Sequence, residues 1–158
     1  MGKTRIICIS GVTMAMYIVI MLATQGFAFG AYQIRIATAL YSLGYVFPFL
    51  VVPLALANSL ANSMGPFGVF DLVGGFVVGI VTSGGVYLVR RFGLPAVLVI
   101  PVIIFAPAFV VPIWLSYLLN LPYLMLVVSI SIGQIVPAVV GYLLIKMLGK
   151  HAERMVRG

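Results

Sequence analysis

The sequence predicts an all-α integral membrane protein: a compact bundle of six transmembrane helices, a single domain over residues 1–158, with cytoplasmic N- and C-termini. Three observations predict it. The chain is 64% hydrophobic and 7% charged, with a mean hydropathy of +1.29, whereas a soluble domain carries about 25% charged residues. So little polar surface cannot cover a water-soluble globule. The apolar residues fall into runs of about 20, the length that crosses a bilayer, and 158 residues leave room for about five or six of them. Finally, Lys3, Arg5, Arg90, Arg91, Lys146, Lys150, Arg154 and Arg157 all sit at segment boundaries or in the tails, where topology-setting charges belong.

The first span runs from Ile6 to about Phe29. Its start, with Lys3 and Arg5 before an apolar run, resembles a signal peptide. The run is longer than a signal core and more spans follow, so it reads as a retained first helix. A loop with Gly30, Tyr32, Gln33 and Arg35 follows. The stretch Ile36–Met64 is apolar but contains Gly44, Pro48 and Pro53, with Asn58, Ser59, Asn62 and Ser63 toward its end. The turn signal Gly65-Pro66-Phe67-Gly68 closes it. The next span covers about Val69–Val89 and stops at Arg90-Arg91. Another covers about Leu94–Trp114, with Pro101, Pro107 and Pro112, which membrane helices tolerate because neighbours re-satisfy the freed carbonyls. Ser116–Pro122 reads as an uncharged connector. The last span covers about Tyr123–Leu148, and a basic tail follows.

The Ile36–Met64 stretch decides the topology. As one helix it would be about 42 Å long against a hydrocarbon core of about 30 Å. Broken near Gly44–Pro48, it makes two helices, each shorter than the core. Six spans with a cytoplasmic N-terminus put the eight boundary and tail cations inside and only Arg35 outside. Five spans put Lys3 and Arg5 outside with the others inside. Both obey the positive-inside rule, the six-span arrangement slightly better, and the first helix usually dominates orientation.

The external half then collects Gln33, Arg35, Asn58, Asn62, Asp71, Ser116, Tyr117 and Asn120, and an outward-facing pocket is the natural reading. Arg35 and Asp71 are the only charged residues between Arg5 and Arg90. An ionisable residue in a membrane-embedded stretch is costly and a functional candidate by default. Arg35 offers five donors that suit a carbonyl, a carboxylate or a nucleobase edge; the alternative is a snorkelling anchor. Asp71, three residues after Gly68, either caps a helix start or accepts from a ligand amine or guanidine-like edge, with Arg35 as its natural partner. Asn58 and Asn62 share a helix face and suit a heterocycle edge or interhelical bonding. Gln134, about 18 Å above Lys146 at helical rise, either lines the pocket from below or bonds another helix. Gly11 and Ala15 form a small-xxx-small pair on the first span, and Gly74, Gly75, Gly79 and Gly84-Gly85 thin the fourth. Such residues pack helices closely or offer a groove to another membrane subunit.

Several chemistries lack their residues. No GxxxxGK[ST] phosphate loop occurs, so the chain does not hydrolyse ATP itself. A lone His151 in the tail and a lone Cys8 make no metal site and no internal disulfide. No histidine or acid stands to activate a serine at a common depth. The chain reads as a non-enzyme that needs no cofactor. No internal repeat supports an inverted-repeat secondary transporter.

Two segments, Gln33-Ile34-Arg35-Ile36-Ala37-Thr38-Ala39-Leu40 and Gly65-Pro66-Phe67-Gly68-Val69-Phe70-Asp71-Leu72-Val73-Gly74-Gly75, resemble the QueT family. Ile132-Gly133-Gln134-Ile135, with Gly141 downstream, is a weaker third match. The size, the six spans, the outer pocket and the small-residue first helix resemble the substrate-binding S component of an energy-coupling-factor (ECF) vitamin importer. The resemblance implies uptake of a queuosine precursor, a deazapurine-like base, across the plasma membrane. It implies a membrane scaffold subunit and two ATPase subunits as partners, with Gly11 and Ala15 on the surface offered to the scaffold. It also implies a toppling motion that carries the pocket inward. Two positions depart from the family pattern: Thr38, three after the arginine, and Gln134, after the glycine of the last span, both stand where that pattern has an acid. Fewer acids hold a cationic ligand less well, which points to a neutral deazaguanine or a related heterocycle. The alternatives are a stand-alone small-solute carrier and a non-transport membrane scaffold subunit. The former would not associate with ATPases, and the latter would hold no small molecule.

Overall fold

The computed structural model describes residues 2–28 and 33–157, with side chains to residue 149. Gly30 and Tyr32 of the first loop, and the side chains of Lys150, His151, Arg154 and Arg157, lie outside the described residues. All regular structure among the described residues is helical. Helix α1 is Lys3–Ala23, and the single turn α2 is Gln25–Ala28. Two shorter apolar helices follow, α3 (Ile36–Val46) and α4 (Pro48–Asn62). Helix α5 is Val69–Arg91, α6 is Ala96–Leu119 and α7 is Tyr123–Arg157. Helices α1, α5, α6 and α7 are long and apolar enough to cross a membrane.

The Ile36–Met64 stretch is broken before Pro48, within the Gly44–Pro48 segment expected for six spans. Phe47, before Pro48, lies at φ −126° and ψ 90°, the extended geometry that proline forces on its predecessor. Pro48 then opens α4 at a position where its missing N–H costs nothing. Seven residues of α3, Ile36–Ser42, form a 3₁₀ helix, whose rise of about 2 Å per residue stretches a short segment. By these rises α3 spans about 20 Å and α4 about 24 Å, both below the core thickness of about 30 Å. The Arg90 guanidinium donates to the Tyr45 and Val46 carbonyls at 2.6 and 2.8 Å and lies 5.9 Å from the Tyr45 ring centroid. It therefore satisfies end carbonyls of α3 that no following helical turn reaches.

One boundary differs from expectation. Ser116–Pro122 is not all connector: α6 continues to Leu119 and stops at Asn120, which takes the left-handed conformation at φ 53°. The Leu121 N–H returns to the Ser116 carbonyl at 3.1 Å, a helix-terminating bond that needs a left-handed residue. Asparagine is one of the few non-glycines that adopt this conformation readily.

The helices alternate between two ends of the bundle. Arg35 at the head of α3, Asn62 at the foot of α4, Asp71 at the head of α5 and Leu119 at the foot of α6 line one cavity, and Gln134 of α7 bonds Gln33 beside it. The other end holds Arg90, about 28 Å from Asp71 along α5, and Lys146, about 18 Å from Gln134 along α7. Lys3 is about 21 Å along α1 from Tyr17, which bonds Asn58 just behind the cavity.

Close approach of α4 and α5 is built from glycine. A methyl at Gly79 would sit 2.5 Å from the Ala55 Cα, a separation no β-carbon tolerates, so α5 reaches α4 here only because Gly79 lacks a side chain. Tyr17, Tyr41, Leu50 and Leu54 pack α1, α3 and α4 together. Val78, Val111, Leu115, Leu126 and Ile130 form a second apolar cluster, and all five line the cavity. Large apolar side chains such as Val19, Phe70, Phe109, Leu124 and Val136 point outward. So extensive an exposed apolar surface suits hydrocarbon, not water.

Candidate functional site

The loop Gly65–Gly68 places Asp71. Gly68 sits at φ 55° and ψ −113°, a region open essentially to glycine alone, and α5 starts directly after it. Asp71 reaches back, so that its Oδ2 accepts the Phe67 N–H at 3.1 Å. A side chain at Gly65 would strike this carboxylate. This bond pins the loop ahead of α5 and does not cap the helix, which has no side-chain cap bond at Gly68; the same residue, 8% exposed, lines the cavity.

Arg35, 7% exposed, lines the same cavity. Its Nε donates to the Ala28 carbonyl at the end of α2, a long bond of 3.4 Å. The two scarce charges, 36 positions apart in sequence by their numbers, thus share one chamber of about 370 Å³. Gln33 and Asn62 also face it, with Ser129, Phe67 and Trp114. Gln33 has a positive φ of 45°, and its carbonyl is held by the Gln134 Nε2–H at 3.0 Å.

Thr38, Asn58 and Gln134 stand behind the walls rather than on them. The Thr38 hydroxyl lies 2.7 Å from both the Arg35 carbonyl and the Gln134 Oε1. One hydroxyl proton serves two acceptors, so α3, α7 and the Arg35 backbone are tied through a single group. The Asn58 Oδ1 accepts from the Tyr17 hydroxyl at 3.0 Å and from the Asn62 Nδ2 at 2.6 Å, while its own Nδ2 donates to the Gly75 carbonyl at 2.7 Å. Tyr17 also meets the Tyr41 hydroxyl at 3.1 Å. This fully buried chain fixes which way each amide points.

Tyr117 and Asn120 are not brought to the cavity. Tyr117 is 84% exposed, because α6 continues as a helix through it and turns it outward. Asn120 is exposed and terminates that helix. Gly11 and Ala15 lie on the exposed face of α1, and nothing stands within 4 Å of a β-carbon built at Gly11. The opposite face of α1, with Thr13, Tyr17 and Met21, is buried.

Trp114 is the residue that sequence reasoning passes over, taken only as the end of a span. It is the chain's one tryptophan. It walls the polar cavity on one side and, on the other, a sideways-opening apolar groove between α5 and α6, lined by Phe70, Val73, Val77 and Ile113 among others. A lone amphipathic ring within a run of aliphatic residues was the available signal.

The chamber combines one cation, one anion and neutral amide groups over an apolar floor. A few polar groups over apolar walls is the usual make-up of a small-molecule pocket. Among the described residues no cluster of His, Cys, Asp or Glu could hold a metal. No curated protein and no solved structure matches the chain. A family model described as QueT transporter matches residues 7–150, nearly the whole length, and the chain belongs to this family of membrane transporters of small substrates.

Proposed function

We propose that the protein is the substrate-binding S component of an ECF-type importer in the plasma membrane. It captures a queuosine precursor or related heterocycle in an outward-facing pocket, and all six helices cross the bilayer with both termini cytoplasmic. The observation that carries this reading is the meeting of Arg35, Asp71 and Asn62 on one cavity, at the end of the bundle opposite Arg90 and Lys146. The alternation of the helices between these two ends supports six crossings. Helices α3 and α4, shorter than the bilayer core, would let the cavity floor sit below the membrane surface.

Arg35 donates to a carbonyl of the ligand, and Asp71 and Asn62 accept from its N–H groups. Thr38, Asn58 and Gln134 hold these groups in place, and Gln33 closes one side. Tyr117 and Asn120 contribute through the loop they flank, not by contact. Thr38 and Gln134, where the resemblance implies acids, bond each other, and the chamber lining holds a single carboxylate and a single guanidinium. That balance favours a neutral deazaguanine over a cationic aminomethyl one. The exposed Gly11 and Ala15 face meets the scaffold subunit, and two ATPase subunits supply the energy.

Equilibrium binding of the aminomethyl precursor and its nitrile counterpart to the purified protein tests the ligand. The nitrile is expected to bind more tightly, and clearly tighter binding of the cation would refute the charge argument. Co-purification with a scaffold and ATPases is expected for an importer subunit and would fail for a stand-alone carrier.

A further inference from the structure

A serine inside an apolar helix can satisfy its hydroxyl on its own backbone, by donating to the carbonyl four residues back. Ser83 and Ser131 do this, at 2.5 Å to the Gly79 carbonyl and 2.7 Å to the Val127 carbonyl. Ser129, on the same helix as Ser131, leaves the Met125 carbonyl alone. Among the described residues its hydroxyl has no hydrogen-bond partner. The residue is half-buried and lines the chamber. The Trp114 Nε1 is sealed off from a molecule the size of water, but the Ser129 oxygen is not, so it stands open to a ligand.

The wall around it is hydrocarbon. Met125, Leu126, Ser129 and Ile130 make the chamber face of α7, at the spacing of one side of a helix. Leu126 and Ile130 join Val111 and Leu115 of α6 in one apolar cluster. Gln134, further along α7, is spent on the Gln33 carbonyl and the Thr38 hydroxyl. Among the described residues, Ser129 is therefore the one open hydrogen-bonding side chain that α6 and α7 give to the chamber. Arg35, Asn62 and Asp71 come instead from α3, α4 and α5. The lining thus divides into a polar part and an apolar part with a single hydroxyl set in it. Such sparse polar groups fix the orientation of a pocket's ligand. A hydroxyl both donates and accepts, so it can pair where a guanidinium or a carboxylate cannot.

We propose that Ser129 is a specificity-determining residue whose hydroxyl reads the one polar substituent on the carbon-rich side of the ligand. A deazapurine divides its surface in the same way. Its six-membered ring carries the dense edge of carbonyl, N–H and amino groups that suits Arg35 and Asp71. Its five-membered ring has a carbon where a purine has a nitrogen, and a substituent on that carbon projects from hydrocarbon. With the polar edge on Arg35 and Asp71, the five-membered ring packs against Leu126 and Ile130, and the Ser129 hydroxyl donates to a nitrile nitrogen carried by that ring. The inference rests on the proposed role as a heterocycle-binding subunit. It adds a recognition residue and the ligand group that this residue recognises.

Hydroxyl and substituent can be removed one at a time, which makes the test a cycle. Calorimetry on the purified protein compares the nitrile-bearing base with unsubstituted 7-deazaguanine. Ser129→Ala should bind the nitrile about three- to tenfold more weakly, the range of one neutral hydrogen bond. It should bind 7-deazaguanine as the wild type does, which also shows that the variant is folded. Ser131→Ala, which loses a hydroxyl turned onto its own helix, should change neither affinity. Undiminished nitrile binding in Ser129→Ala, or equal weakening of both bases, overturns this inference and leaves the function standing. Failure of the wild-type protein to bind the nitrile and 7-deazaguanine alike overturns both.

Discussion

At the scale of single residues, Asp71 does two tasks with one carboxylate, and they are separable. Asp71→Ala removes the acceptor of the Phe67 N–H, a loop hydrogen bond worth about 1 kcal/mol, visible as a modest fall in detergent-phase melting temperature. The same change removes the cavity's one anion, and uptake by cells should vanish while membrane insertion stays normal. Arg35→Ala should abolish uptake likewise. Unchanged transport in both variants would remove the site. These two residues were legible in the sequence because a charge inside hydrocarbon is rare and costly enough to need a reason. Trp114 was not, because an aromatic ring in an apolar span is equally at home in a core, at a lipid interface or on a cavity wall. In the sequence Tyr117 and Asn120 count as lining, because a connector shows no helical phase. Once α6 extends through Ser116, phase turns one outward and makes the other a helix stop. Thr38 and Gln134 were legible as polar groups, but their bond to each other joins residues of α3 and α7, and no local pattern carries that.

At the scale of elements, the two short helices are held by devices at opposite ends. Arg90 clamps the end of α3 through two carbonyls, and charge-assisted bonds of this kind contribute about 1.5–3 kcal/mol each at their strongest. Arg90→Ala should lower thermal stability by about that order, reduced by the side chain's exposure, and leave ligand affinity unchanged, because the clamp lies about 28 Å from Asp71. A lost affinity with intact stability would show that the clamp does something else. Gly79 lies where α5 packs tightly against Ala55 of α4. Gly79→Val forces the backbones apart, an overpacking change that costs about 1–3 kcal/mol or more, and should be read as a fall in folded yield. The break before Pro48 is legible only with the charges: Gly44 and Pro48 mark the place, and the positive-inside rule favours two helices over one. The 3₁₀ winding of Ile36–Ser42 was not, since it answers to packing against α1 and α7 and to the Thr38 bond on the Arg35 carbonyl, not to the composition of the segment.

At the scale of the molecule, the end carrying Arg35 and Asp71 and the end carrying Arg90 and Lys146 define an axis, and the positive-inside rule orients it. Replacing Cys8 with serine and placing single cysteines by Ser63→Cys and Phe92→Cys tests this, both positions being exposed. An impermeant maleimide should label the first in intact cells and the second only after permeabilisation. Labelling of both from outside would invert or break the topology. The overall class was legible because a chain this apolar has few solutions in a membrane, and closed helices satisfy their own backbone. The convergence of four loop and helix ends into one chamber was legible only as an expectation, since it depends on how α3 and α4 are split and tilted.

If the chamber holds a small heterocycle through Arg35, native mass spectrometry of the protein extracted without added ligand will reveal it. The wild-type chain should carry a bound small molecule that gas-phase activation releases, and Arg35→Ala should emerge empty. A wild-type protein with nothing bound, or an Arg35→Ala protein carrying the same molecule to the same extent, would contradict it.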